Sequence, residues 1–281
     1  MPSLPGASRT PAVLCVAPNG ARRTHADHPA LPITAHQLAR DAAACHEAGA
    51  SVIHLHVRDE QGRHSLDIVR YREAIAAIEA AVGDRLLVQV TTEAIGMYAP
   101  ADQMQLVREL RPEAASVALR ELAAHEADLP AALEFFAWAR RERIALQYIV
   151  YSAEEARRLA SLAQRGLLAH RAPNALFVLG RYAANQQSAP TDLLPFLQEW
   201  PADWPWSVCA FGAAEAQCMA AAIGLGGHAR VGFENNLHRP DGTAATGNAD
   251  LVANARTIVQ CTGRSLATAD EARRAYGAAG C

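Results

Sequence analysis

The sequence predicts a closed (β/α)8 barrel, and three observations carry that prediction. Eight short apolar runs alternate with eight longer segments of helical periodicity. The chain has 281 residues, and one such barrel typically takes about 250. No linker, repeat or low-complexity stretch divides it, so residues 1–281 are expected to form one domain.

Strands are expected at Ala12–Ala17, Ser51–Val57, Arg85–Thr91, Ala115–Leu119, Ile144–Val150, Ala175–Leu179, Trp206–Phe211 and His228–Gly232. They are short and mostly apolar, as strands covered on both faces must be. Helices are expected at about 34–48, 67–82, 101–110, 129–141, 153–165, 190–199, 213–223 and 247–261. Thr34 is placed to cap the first helix and Gly49 to end it. The polar stretch 181–190 follows the sixth strand and belongs at the barrel mouth. The C-terminal tail is rich in Ala and Gly and is expected to add little.

Composition narrows the function. Apolar residues make up 51% of the chain, enough to fill a sizeable core, and charged residues 20%. A net charge of −3 gives no basic field for nucleic acid, so any anion site must be local. None of the six cysteines forms a CxxC pair, and no structural disulfide is expected. The opening MPSLPGASRT lacks the apolar stretch of a signal peptide, and no apolar run approaches a membrane span of about 20 residues. The cytoplasm is the expected location.

In a barrel of this kind, chemistry belongs at the C-terminal ends of the strands. His54-Leu55-His56 is the sharpest motif there. Residues i and i+2 of a strand point to one face, so both imidazoles enter the lumen with Cα atoms about 6–7 Å apart. They can share a metal or hydrogen-bond one another in a core. Glu234, after the glycine-bounded run GGHARVGF, offers a third ligand or a salt-bridged surface carboxylate. Two imidazoles and a carboxylate suit Zn2+ with positions left open for substrate. Arg230 shares a face with His228; it is read either as an anion clamp or as the partner of a loop carboxylate. His228 starts the same strand and is read as structural. Thr91, Thr92 and Glu93 end the third strand, where a Thr hydroxyl can meet a substrate oxygen or cap a helix. Phe177–Arg181 reads as a strand end with a glycine turn or as a phosphate site, and no Walker loop, GxGxxG or GxSxG is present.

These residues, in the segments PNGARRTHADHPALPIT, AGASVIHLHVRD, VQVTTEAIG, FVLGRY, GGHARVGFENN and LATADEAR, resemble the β-keto acid cleavage enzymes from about Ala12 to Arg273. The resemblance implies a TIM barrel holding one Zn2+ on His54, His56 and Glu234. It implies a reaction in which a β-keto acid and acetyl-CoA give acetoacetate and a new acyl-CoA, with no redox step. It assigns Arg230, Thr91 and Ser116 to substrate oxygens or developing charge, and Asn19 and Gly20 to the substrate loop. The family habit is a homotetramer, and no nucleic-acid or membrane partner is expected.

Two departures from the family pattern bear on mechanism. The family usually has an Asp directly after the metal Glu, and this chain has Asn235, whose neutral amide cannot act as a base. Glu93 and Glu121 are the nearby carboxylates able to replace it. The founding enzyme of the family receives a substrate ammonium on a Glu where this chain has Arg22, which argues for an anionic or polar substrate. An Arg22–Glu93 ion pair would neutralise that preference. The alternatives are a metal-dependent aldolase or hydrolase on the same barrel, or a binding protein without catalysis.

Overall fold

The apolar runs become strands that are buried along their whole length in a computed structural model describing residues 10–168 and 171–278. The barrel strands are β1 (Leu14–Val16), β2 (Val52–Leu55), β5 (Leu87–Thr91), β6 (Ala114–Ala118), β7 (Ala145–Val150), β8 (Asn174–Leu179), β9 (Trp206–Ala210) and β10 (His228–Val231). They close in the order β1-β10-β9-β8-β7-β6-β5-β2, with every neighbouring pair parallel. Helices surround them: α1 (Ala35–Ala48), α2 (Ile68–Val82), α3 (Pro100–Leu110), α4 (Leu119–Leu122), α5 (Leu129–Arg141), α6 (Ala153–Gln164), α7 (Leu194–Glu199), α8 (Glu215–Gly224), α9 (Asn248–Cys261) and α10 (Ala269–Tyr276). The expected TIM barrel is therefore the fold.

Thr34 caps α1 as expected, through a capping box with Gln37, and Gly49 ends it at φ 123°. Elsewhere the boundaries differ for physical reasons. The second run stops as a barrel strand at Leu55, because β3 (Val57–Arg58) leaves the sheet to pair antiparallel with β4 (His64–Ser65). The segment expected as one helix over 190–199 is a 3-10 turn, Pro190–Leu193, followed by α7. Pro195 has no N–H to donate to a preceding turn, so it opens a new helix instead of extending one.

The C-terminal segment corrects the expectation that it adds little. Thr268 and Glu271 form a capping box that starts α10. Its buried Ala272 and Tyr276 pack with Val13, Val52, Leu87 and Ala145, at the N-terminal ends of the barrel strands. Burying one such aromatic contributes about 1.5–3 kcal/mol, and here it plugs the lower mouth of the barrel. His228 lies at this same lower end, where its Nδ1 accepts from the Val13 N–H at 3.2 Å.

The five described cysteines, Cys15, Cys45, Cys209, Cys218 and Cys261, are free thiols; Cys281 lies outside the described residues, as do 1–9, 279 and 280 at the expected domain ends. Among the described residues, no helix is long and apolar enough to cross a membrane.

Candidate active site

His54 lies in β2 and His56 stands one residue beyond its end, and the two imidazoles meet in the lumen with Nε2 atoms 3.1 Å apart. Glu234 arrives from the turn after β10. Gly232 makes that turn at φ 137°, and a Cβ there would sit 2.3 Å from the Ala17 carbonyl oxygen, so only glycine lets the chain pass β1 so closely. The Glu234 N–H then donates to the same Ala17 carbonyl. Glu234 Oε2 lies 3.2 Å from His56 Nε2 and 3.7 Å from His54 Nε2.

A tetrahedral zinc with bonds of about 2.0–2.1 Å separates its ligand atoms by about 3.3 Å. The three separations here bracket that value. Glu234 Oε2 is buried without a hydrogen-bond partner, as is His56 Nδ1. His54 Nδ1 donates to Gln89 Oε1 at 2.8 Å, which leaves a lone pair on His54 Nε2. Burial and the neighbouring Arg230 guanidinium pull the His54 pKa down to about 3, so the imidazole stays neutral. Burial alone would raise the Glu234 carboxyl, but Arg230 and His56 outweigh it and hold the group well below the usual carboxylate range. Two imidazoles and a carboxylate converging in this way fit a divalent metal.

Arg230 projects inward between Cys15 and Cys209 on the flanking strands. Its Nη2 donates to Glu234 Oε1 at 3.0 Å, and its Nε is buried and unpartnered. One carboxylate oxygen is thus occupied by Arg230 while the other faces the histidines.

The first loop is built around this cluster. Gly20 has φ 59°, and a Cβ on it would lie 2.5 Å from Glu234 Cγ. Arg58 is buried and donates to the carbonyls of Asn19, Gly20 and Arg23, so it fixes the loop from below. Asn19 donates its amide to the carbonyls of Pro32 and His56. Arg23 reaches across to the carbonyls of Phe233 and Asn235 and ties this loop to the one bearing Glu234.

Two connected recesses open above the cluster. The inner one, a narrow cleft of about 20 Å³, is lined by His54, His56, Thr91, Arg230, Glu234 and Glu93, with Tyr151 and Phe211 as aromatic walls. The outer one, about 250 Å³, is lined by Asn19, Gly20, Arg22, Arg23 and Arg181, and shares Glu93 and Glu234 with the first. A wider groove of about 540 Å³ runs between α2, α3 and α10 beside Arg72, Glu79 and Arg273, away from the C-terminal strand ends and from this cluster.

The expected site residues divide. Thr91 lines the inner recess, and its hydroxyl accepts from the Glu93 N–H at 3.1 Å, leaving its own hydrogen free to donate. Ser116 and Asn235 are buried with unpartnered side-chain atoms, but neither lines a recess. Glu121 is turned away: its Oε2 accepts from the Ala94 N–H and from Gln103 Nε2 at 2.7 Å, which staples the loop after β5. The ion pair considered between Arg22 and Glu93 does not form. Glu93 instead faces Arg181 at 3.7 Å, and Arg22 is exposed at the outer recess.

Three contributors carried no clear sequence signal as site residues. Arg181, part of the expected glycine turn, joins both recesses and lies 5.1 Å above the Phe211 ring. Tyr151 follows β7 and lies half-buried on the wall of the inner recess. His64 in β4 packs 5.3 Å from the His56 ring and contacts the Glu93 carbonyl through Nε2 at 2.8 Å. Burial pulls its pKa down to about 3.

The sequence itself matches known proteins along nearly all of the described barrel. A model of the beta-keto acid cleavage enzyme family, BKACE, matches residues 11–277. The 3-keto-5-aminohexanoate cleavage enzyme of Fusobacterium nucleatum is 31% identical over 259 residues, covering 91% of this chain and 93% of that one. The 3-oxoadipate:acetyl-CoA acetyltransferase of Cupriavidus necator is 27% identical over 276 residues, 95% of each. Among solved structures, apo ObcA superposes with a TM-score of 0.71 at 18% identity, over 89% of this chain and 66% of that one, a likeness of fold. With similarity running the length of both the chain and its relatives, this chain belongs to the beta-keto acid cleavage enzyme family.

Proposed function

We propose that the protein exchanges acyl groups between a β-keto acid and acetyl-CoA, releasing acetoacetate and a new acyl-CoA, at a Zn2+ held by His54 Nε2, His56 Nε2 and Glu234 Oε2. The observation that carries the proposal is the convergence of these three atoms at a recess that Arg230 also lines. Membership of the family supports the reaction class, since relatives carry names of this chemistry. The metal, when bound, supplies a Lewis acid for the oxygens of the keto acid.

The chain's own residues account for the rest of the work. Arg230 is buried and charged at every working pH, and its guanidinium faces the negative charge that develops on the substrate. Thr91 donates its free hydroxyl hydrogen to a substrate oxygen. Glu93 is the carboxylate of the recesses that is not a ligand, among the described residues. It takes the proton from the carbon between the two substrate carbonyls, the role that Asn235 cannot fill. That carbon bonds to the acetyl carbonyl and CoA thiolate leaves. The thiolate then adds to the original keto carbonyl, the adjacent C–C bond breaks, Glu93 returns its proton to the carbon so released, and acetoacetate and the new thioester depart. Atoms balance and no electrons are exchanged with an external agent.

The outer recess sets the substrate class in this proposal. Three guanidiniums, Arg22, Arg23 and Arg181, stand against two carboxylates, Glu93 and Glu234, which leaves one positive charge before any metal is counted. A carboxylate or other polar group at the far end of the keto acid suits that balance better than an ammonium. A homotetramer is the assembly expected from the family.

Asn235 favours a second reading, a metal-dependent aldolase or hydrolase on the same barrel. One experiment separates the two: zinc-loaded enzyme is incubated with a panel of β-keto acids, with and without acetyl-CoA. New acyl-CoA that forms only when acetyl-CoA is present supports the exchange reaction. Keto acid consumed at equal rates without acetyl-CoA supports the second reading.

A further inference from the structure

Beneath the proposed metal site, a row of buried amides crosses the barrel with a single polarity. His54 Nδ1 donates to Gln89 Oε1 at 2.8 Å. Gln89 Nε2 donates to Gln147 Oε1 at 3.1 Å, and Gln147 Nε2 donates to Asn174 Oδ1 at 3.1 Å. Asn174 Nδ2 donates to the backbone carbonyl of Ala275 at 3.2 Å. Gln89, Gln147 and Asn174 are each at most 5% exposed.

The far end fixes the direction of the row. A backbone carbonyl can only accept. Ala275 lies in the last turn of α10, where helix carbonyls have no partner inside the helix. Asn174 must therefore present its NH2 to Ala275 and its oxygen to Gln147. Each amide in turn repeats that orientation, until Gln89 offers His54 an oxygen. An oxygen there requires hydrogen on Nδ1, so the lone pair of His54 sits on Nε2, the atom facing His56 and Glu234. The opposite tautomer requires all three amides to flip and ends with Asn174 Oδ1 against the Ala275 carbonyl, two acceptors with no hydrogen bond between them.

We infer that Gln89, Gln147 and Asn174 are positioning residues through which the α10 plug, at one end of the barrel, holds His54 in its metal-binding tautomer at the other. Ser207 is a side branch: its Oγ accepts from Gln147 Nε2 at 3.3 Å and interrupts nothing if removed. The inference rests on the proposed metal site for its purpose, but the tautomer it requires is a property of the metal-free chain.

Two readouts test it. The first is the pair of ring 15N shifts of His54 in chelator-treated, 15N-histidine-labelled full-length protein. The expected result is one protonated Nδ1 and one unprotonated Nε2 in the wild type, and averaged shifts in Gln147→Met, whose side chain touches neither histidine. The second is zinc affinity by chelator competition. Outer partners of metal ligands typically change affinity 10–100-fold; a loss of about 10-fold or more is expected for Gln147→Met and less than about twofold for Ser207→Ala. A protonated Nε2 in the wild type overturns the inference even if no variant folds. So does wild-type zinc affinity in Gln147→Met, or an equal loss in Ser207→Ala, which would reflect packing of the layer alone. Absence of zinc binding by the wild type would remove the metal site and leave the tautomer result standing.

Discussion

Gly20 offers the sharpest single perturbation of the proposed centre, because its backbone leans on the side chain of a metal ligand. Replacing it with Ala adds one carbon. At φ 59° an L-residue is strained by roughly 1–2 kcal/mol. The new Cβ would lie 2.5 Å from Glu234 Cγ, whereas carbon atoms rest at about 3.5–4.0 Å. Glu234 must retreat by about 1 Å. Ligand positions at a metal tolerate about 0.2 Å, so Glu234 would leave the range in which it shares an ion with two fixed imidazoles. The strain can be measured apart from the crowding. Gly242 also has a positive φ, 84°, but a Cβ there meets nothing within 4 Å. Gly242→Ala should thus lower stability by about 1 kcal/mol and leave the centre intact. In Gly20→Ala, urea denaturation should report a similar or slightly larger loss, while chelator competition reports zinc affinity down at least about 10-fold. Wild-type zinc affinity in Gly20→Ala, or an equal loss in Gly242→Ala, would refute the reasoning.

Four further outcomes are expected. Arg230→Ala should lose on the order of 2–4 kcal/mol of transition-state stabilisation in kcat/KM, and near wild-type kcat/KM would remove Arg230 from the mechanism. Glu93→Gln should lower kcat by about 100-fold or more with bound zinc unchanged; unchanged kcat would return the base to an unidentified group. Arg22→Glu should shift the kcat/KM ratio towards an aminated β-keto acid and away from a dicarboxylic one, whereas an unmoved ratio means that Arg22 does not read substrate charge. Burial and Arg264 pull His228 down to about 4, below the unfolded value of about 6.5. Its contribution is therefore present above pH 6.5 and lost as pH falls through 4, up to about 3 kcal/mol. Wild type should lose more urea stability than His228→Asn between those pH values, and parallel profiles would contradict this.

The sequence was most informative where function depends on local spacing. The His54–His56 pair works because two residues, two apart, face one way, and period 2 survives even though β3 peels away directly after His56. Arg230 and Glu234 were readable for the same reason, since both flank the turn of one strand. What could not be read depends on which distant atoms the closed barrel brings together. Asn174 and Ala275 are 101 residues apart, and nothing local marks that contact. Gln89 and Gln147 look like polar interruptions of apolar strands until barrel closure aligns them into one layer. Glu121 shows the reverse error: a carboxylate after a strand end is reachable from the mouth, but Gln103 of α3 captures it. Arg181 displaced Arg22 as the partner of Glu93 because the turn after β8 carries it across the recess. The α10 plug is hidden in the sequence because an Ala- and Gly-rich composition suggests little burial, while Tyr276, with Ala272 beside it, fills the mouth.

In the proposed exchange, the carbon skeleton of the keto acid is cut and joined to the acetyl group of acetyl-CoA. Acetyl-CoA labelled with 13C at the acetyl carbonyl, incubated with zinc-loaded enzyme and an unlabelled β-keto acid that turns over, tests it most directly. Label is expected at the keto carbon of acetoacetate, with none in the new acyl-CoA. Label retained in acetate, or unlabelled acetoacetate, would contradict it.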